Sequence, residues 1–361
     1  MDASHSTSRP IRIGIVGANI ARGWALEAHL PAIRSVPAFT VTAVAARSQG
    51  LADEAASLFG AKRGYGRAED LIHDTDVDVV VVTVRVQEHH AIVLSALAAG
   101  KHIYCEWPLG ANLQEAQELA AAVKPGQLAV VGAQGLSAPA IRQAIDLVQG
   151  GAIGRLKVLR VYNTAAAWGP EVAARGYLQD KASGATLATI GMGHVLPAIE
   201  ALIGPYLQVD ARCSILTKQV RVKATGEFVE RTCEDHILAL GSHDSGCVST
   251  LEVIGGRSDR TALLELVGED GVLSISGTVA GSYQIAQLRL DASFSIDPFP
   301  APVAPHLSGP PANLAEVYAR LATDIPLGTT TLPSFTDALR ITKLIDAIDK
   351  ASSSGVRQFL G

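Results

Sequence analysis

Cysteine, gathered positive charge and long apolar runs are what this chain lacks. Its four cysteines, Cys105, Cys213, Cys233 and Cys247, stand far apart and form no C-x-x-C pair. That excludes a disulfide framework and leaves reduced thiols in a cytoplasm as the expectation. Thirty Lys and Arg against 35 Asp and Glu give a net charge of −5. Nucleic acid is therefore not expected as the main partner, because neutralising phosphates needs clustered cations. No apolar run approaches the roughly 20 residues that span a bilayer, so no membrane partner is expected. The opening MDASHSTSR is polar, without the apolar stretch of a secretory signal. No set of His, Cys, Asp and Glu has metal-ligand spacing, and no G-x-S-x-G elbow occurs; no metal is expected. What the chain does have is small apolar residues. Hydrophobic residues make up 48% and charged ones 18% of 361, enough for a sizeable core and two domains.

The most informative stretch is IGIVGANIARGWA, residues 13–25. A buried strand, Ile11–Val16, ends at Gly17, where a missing side chain lets the backbone turn tightly. The following helix offers free N–H groups and a positive dipole end to a pyrophosphate. The fingerprint is not a clean G-x-G-x-x-G: Asn19 and Arg22 stand where the second and third glycines belong, and Gly23 comes one place late. Gly17, Asn19, Ile20 and Ala21 are the candidate phosphate-binding residues. Further β-branched runs at Thr40–Ala45, Val77–Val82, His102–Cys105 and Ala129–Gly132 alternate with Ala- and Leu-rich segments at Trp24–Ala32, Gln49–Leu58, His89–Ala99 and Leu113–Val123. DVDVVVVTV has no polar alternation, as a central parallel strand covered on both faces requires. Residues 9–135 therefore read as a Rossmann domain, a doubly wound parallel sheet.

From about residue 136 to 361 the pattern is that of an α+β domain with an open, largely antiparallel sheet. LKVLRVYNTAA alternates like a half-exposed strand. A helix is expected over Ala188–Leu202 and strands near Ile237–Gly241, Cys247–Ile254, Ala262–Val267, Val272–Ser276 and Tyr283–Leu290. The Pro-rich stretch 297–311 reads as a loop or lid. Helices over Ala312–Asp324 and Ser334–Ala351 are expected to pack back on the body.

The nucleotide turn, the block VVTVRVQEHHAIVLSALAAGKHIYCEWPLG and the segment GATLATIGMGH resemble the glucose–fructose oxidoreductase / inositol dehydrogenase (Gfo/Idh/MocA) family. GANIARGWA together with CEWPLG most resembles the branch that holds the galactose-regulon repressor and its enzyme-like relatives. The resemblance implies a nicotinamide cofactor at the domain junction and an open sheet that often forms a dimer interface, hence a homodimer or homotetramer. It also implies roles for Glu106, Trp107 and Pro108, where the family has Glu-Lys-Pro with a proton-transferring lysine and a cis peptide. His194 takes the family's histidine position, but Ile190 stands where an aspartate is usual. His89 takes the place of a family histidine near the nicotinamide, and Val84 precedes it after the central strand.

Trp107 cannot act as an acid or base; its indole is a donor with a flat face, able to pack the junction or to stack on a nicotinamide or substrate. His194, whose imidazole type ordinarily titrates near neutrality, remains as the candidate acid/base, with the Tyr177 phenol as a second catalytic candidate. Tyr162, Trp168, Asp180 and Lys181 are candidate substrate residues, and Trp24, Trp107 and Trp168 would make an aromatic cleft. At the end of the second strand, where an NAD-specific chain places a carboxylate, stand Arg47 and Ser48. A planar cation and a hydroxyl suit a 2′-phosphate, so NADP(H) is the expected cofactor. Three readings follow: an NADP-dependent oxidoreductase acting on a small-molecule substrate, a catalytically silent nucleotide-binding regulator, or a cofactor-retaining lyase, hydrolase or epimerase.

Overall fold

The structure, a computed structural model, describes residues 9–173, 176–257, 259–277 and 282–360. Six strands form the first sheet: β1 (Ile11–Val16), β2 (Phe39–Ala45), β3 (Arg63–Tyr65), β4 (Val79–Val82), β5 (His102–Glu106) and β6 (Ala129–Gly132). They lie in the order β3-β2-β1-β4-β5-β6 and are all parallel, the doubly wound arrangement expected. All four valines of β4 are buried, as a strand sandwiched between helical layers must be. The short β3 and the helix Ala68–Ile72 were not expected; both are too brief to show a period. The first helix opens as a wide π-turn over Ala25–His29 and continues as Leu30–Arg34.

The second half follows the helix Pro139–Gln149. Its strands are β7 (Leu156–Ala165), β8 (Glu171–Val172), β9 (Tyr206–Ser214), β10 (Gln219–Val222), β11 (Phe228–Glu230), β12 (His236–His243), β13 (Val248–Gly255), β14 (Leu263–Gly268), β15 (Val272–Gly277), β16 (Leu288–Ala292) and β17 (Gln358–Phe359). Eight of them form one sheet, β16-β15-β14-β7-β13-β12-β9-β17, antiparallel except for the β7–β13 pair. The strand expected from Tyr283 starts only at Leu288, because Ser282 turns the chain by accepting from the Ile285 and Ala286 N–H groups. The expected helix over Ala188–Leu202 is broken into a π-turn, Leu187–Met192, and a helix, Leu196–Ile203. Pro197 in the first turn of that helix has no N–H to continue the ladder, and His194 sits in the break.

Leu159, Val161, Leu251, Val253, Ile237 and Leu264 point to the covered face of the eight-stranded sheet and share a core with Phe335 and Ile341 of the helix Phe335–Ser354. The opposite face is open and carries Leu238, Leu240, Val248 and Leu263 among polar residues. Helix Pro310–Leu327 packs instead on the Rossmann sheet, where Leu314, Val317 and Tyr318 join Ile13, Ile15 and Phe39. No described helix is long and apolar enough to cross a membrane.

Candidate active site

The nucleotide turn is a rebuilt version of the glycine-rich form. Gly17 has φ +100°, and a Cβ there would lie 2.8 Å from Thr83 Oγ1 and 3.0 Å from Val84 Cγ1, so only glycine lets the end of β1 lie this close to the loop after β4. In place of the second glycine, Asn19 Oδ1 accepts from the Ala21 N–H at 2.8 Å and the Arg22 N–H at 3.3 Å, closing the turn with a side chain. Gly23, at φ +112°, supplies the positive-φ residue one place late, and its N–H donates to Glu27 Oε1 at 2.9 Å. Ile20 and Ala21 lie exposed on the turn. At the end of β2 the Arg47 side chain is exposed, with no partner among the described residues, while Ser48 caps the helix Gln49–Phe59. A side-chain-free cradle beside Thr83 and Val84, with an unpaired guanidinium at the next strand end, fits a dinucleotide.

The turn after β5 brings Glu106, Trp107 and Pro108 to the same edge, and the Trp107–Pro108 peptide is cis. Behind it, His89 is 1% exposed and lies between two carbonyls, Nδ1 at 2.9 Å from Pro108 O and Nε2 at 3.1 Å from Val84 O. It thus clasps the β4 and β5 loops together. Burial pushes its pKa down, although both carbonyls pull the other way. The Glu106 carboxylate lies over Gly132 and accepts from His29 Nε2 at 2.9 Å. That fixes the tautomer: with Nε2 donating, Nδ1 is left to accept from the Tyr318 hydroxyl at 2.7 Å. The Tyr318 phenol is held well above its usual pKa by burial and by Glu106, so it keeps the proton it donates.

Trp107 fills the place of the family's lysine. Its Nε1 donates to Thr189 O at 2.5 Å, and its ring lies 6.5 Å from that of His194 at 58°. A Cβ on Gly193 would come within 2.6 Å of the indole nitrogen. His194 itself is buried, its Nδ1 has no hydrogen-bond partner among the described residues, and burial pushes its pKa down to about 4 against the pull of Glu106. The imidazole is therefore neutral at pH 7. Ile190, one turn earlier, is part of the packing around the core. Tyr177 is brought to the same edge by Arg85, whose guanidinium sits 4.6 Å over its ring, and Gln87 donates to Ser183 O at 2.5 Å. These contacts lay the segment 176–184 against the loop after β4.

Tyr162 and Trp168 lie elsewhere, and Asp180 and Lys181, though on the segment 176–184, are engaged by other partners. Tyr162 pairs with Glu252 and Leu263, which places it on the open face of the large sheet; its neighbour Asn163 points inward, donating to Gly191 O and accepting from the Tyr283 N–H. Trp168 is packed in the core, its Nε1 donating to Leu178 O at 2.9 Å. Asp180 caps the turn Lys181–Ser183, and Lys181 is exposed and pairs with Asp349 at 3.0 Å. Trp24 packs against a different core cluster from Trp107 and Trp168. His29 and Tyr318 were missed. The only signal for His29 was its place twelve residues after Gly17; Tyr318 lies 289 residues from it.

A six-stranded parallel Rossmann sheet followed by a large, mostly antiparallel sheet defines the class, a two-part α/β protein of the Rossmann type. Residues 11–133 match the oxidoreductase family with an NAD-binding Rossmann fold, Gfo/Idh/MocA, and residues 139–277 match the C-terminal domain of Gal80p. The chain is thus similar to the Gfo/Idh/MocA family in its Rossmann domain and to Gal80p in the domain that follows. It is 29% identical over 309 residues to the galactose/lactose metabolism regulatory protein GAL80 of Kluyveromyces lactis, covering 79% of this chain and 67% of that one. To the dehydrogenase aclE of Aspergillus oryzae it is 32% identical over 216 residues, 58% of this chain and 59% of that protein. A crystal structure of a super-repressor mutant of Gal80p from Saccharomyces cerevisiae has the same fold, with a TM-score of 0.86, 20% identity and coverage of 97% and 98%. So does levoglucosan dehydrogenase in complex with NADH and levoglucosan, at 0.81, 21%, and 98% and 99%.

Proposed function

We propose that the protein is an NADP(H)-dependent oxidoreductase that moves hydride to or from a carbonyl, alcohol or imine carbon of a small, cyclic or sugar-like substrate. The observation that carries this reading is the buried, neutral His194 with its free Nδ1, placed beside the Trp107 turn at the dinucleotide edge. A bound nicotinamide supplies the hydride donor or acceptor; the proton falls to the protein. His194 takes it from a substrate hydroxyl or returns it to the oxygen, and its low pKa makes the charged ring a ready donor. Trp107 holds no exchangeable proton for this purpose but excludes water beside the ring. Tyr177, whose ring lies under the Arg85 guanidinium, is the second candidate, to polarise a substrate carbonyl. The deciding experiment is spectrophotometric turnover with NADPH and NADP⁺ on sugars, polyols, cyclic ketones and imines.

Arg47 and Ser48 support NADP(H) over NAD(H). Arg47→Ala is expected to weaken NADPH binding about 10- to 100-fold, the worth of a charged hydrogen-bond pair, and to leave NADH binding unchanged, as read by fluorescence titration. Equal losses for both cofactors would remove Arg47 from the 2′-phosphate. Reduced thiols, with all four cysteines free, suit a cytoplasmic protein. The apolar residues of the open sheet face suit a homodimer. Leu240→Arg is expected to give a monomer in light scattering; an unchanged mass would exclude that face.

One observation favours a second reading, a nucleotide-binding regulator: both usual relay positions are filled by side chains without a titratable proton, Trp107 and Ile190. Tight NADPH binding with no turnover on any substrate class would support it. Substrate consumption with no net change in nicotinamide absorbance would instead indicate the cofactor-retaining enzyme.

A further inference from the structure

A cavity of about 1170 Å³ opens among the helices Pro139–Gln149, Leu196–Ile203 and Pro310–Leu327 and the segment 329–341. Trp107 forms part of its wall, but His194, Glu106 and the nucleotide turn do not line it. It is a space separate from the dinucleotide edge, on which the proposed hydride transfer makes no demand.

Two arginines from different helices reach this cavity. Arg142 approaches Glu316 at 3.5 Å and lies over the Phe299 ring at 5.6 Å. Arg320 donates from Nε to Thr331 Oγ1 at 3.1 Å, and its terminal nitrogens have no acceptor among the described residues. Burial, and repulsion from Arg142, pull the Arg320 guanidinium below its ordinary pKa. Most of the carboxylates around the cavity are already engaged. Glu316 accepts from the Val303 N–H, Asp324 accepts from Thr329 and Thr331, and Glu200 and Asp337 both meet Arg340. Asp146 is exposed at the rim. Two neighbouring cations kept half out of water are stabilised by an oxyanion placed between them, and a planar guanidinium takes a carboxylate or phosphate through two parallel N–H bonds.

We propose that this cavity is a second ligand site, holding the carboxylate or phosphate group of a small metabolite between Arg142 and Arg320, with the ligand's apolar part against Leu136, Ile145 and Leu332. An occupant would also touch Trp107, whose ring separates the cavity from His194.

The test is isothermal titration calorimetry of the full chain with citrate and, separately, with inorganic phosphate. Wild type is compared with Arg320→Ala, Arg142→Ala and Arg47→Ala. Binding is expected in wild type and in Arg47→Ala, and is expected to weaken about tenfold or more in each cavity variant. Two cavity variants keep the result readable if one of them fails to fold. Citrate binding alone assigns a carboxylate ligand, and phosphate binding alone assigns a phosphorylated one. No binding of either anion at millimolar concentration overturns the proposal. So does binding that survives in both cavity variants and is lost in Arg47→Ala, which would place the anion at the cofactor's 2′-phosphate position.

Discussion

Replacing His194 by alanine is expected to lower kcat about 10²- to 10⁴-fold, the range lost with a positioned general acid/base, while the NADPH dissociation constant stays within a factor of about two. The expectation follows from a short inventory. With Trp107 and Ile190 in the relay positions, His194 is the titratable group left beside the indole, and it is neutral at pH 7. Its pH signature is equally specific. The folded pKa of about 4 lies below the ordinary 6.5, so as pH falls the unfolded chain takes up the proton first. The stability associated with the neutral ring is present above pH 6.5 and drains away between 6.5 and about 4, by roughly 3 kcal/mol. Chemical denaturation across that window should show the slope in wild type and lose it in His194→Ala. Turnover that survives the substitution would move the proton to Tyr177.

Trp107→Ala is expected to cost about 3–5 kcal/mol of stability, the range for deleting a buried tryptophan. The indole is 6% exposed, and its loss strips the Thr189 carbonyl of its 2.5 Å donor. The denaturant midpoint measures this directly; a change under about 1 kcal/mol would show that the site collapses to fill the space. Trp107→Lys should not rebuild the family's relay, because Ile190 offers no carboxylate and an ammonium buried unpaired is costly. Pairing it with Ile190→Asp supplies both charges, and a gain in turnover over the single variant is the expected result.

The Rossmann half was legible because its strands are buried on both faces and announce themselves as unbroken apolar runs, Val79–Val82 above all. The second half was read less completely. In β9, exposed Leu207 sits beside buried Tyr206, so the apolar pattern loses its alternation. For Tyr162 the strand's own alternation carries the signal: with Leu159 and Val161 turned inward, a period of two sends Asn163 inward and Tyr162 out. The positions of His194 and Trp107 came from family resemblance, and spacing alone would not have singled them out. Nothing local in the sequence indicated that Lys181 would be tied to Asp349, 168 residues away, or that His29 would stand between Glu106 and Tyr318.

That last line of contacts bears on how the chain can be divided. Helix Pro310–Leu327 arises after seven of the eight strands of the large sheet, yet Leu314, Val317 and Tyr318 complete the core of the first sheet, and the Tyr318 hydroxyl holds His29 against Glu106. A fragment cut at the end of β6 would lack this covering and expose apolar surface that the intact chain buries. The Rossmann half is thus sequence-discontinuous. Any chimera that exchanges C-terminal halves between relatives must return this helix to the parent of the Rossmann sheet while leaving helix Phe335–Ser354 and β17 with the large sheet they complete, so a single crossover at the end of β6 does not suffice.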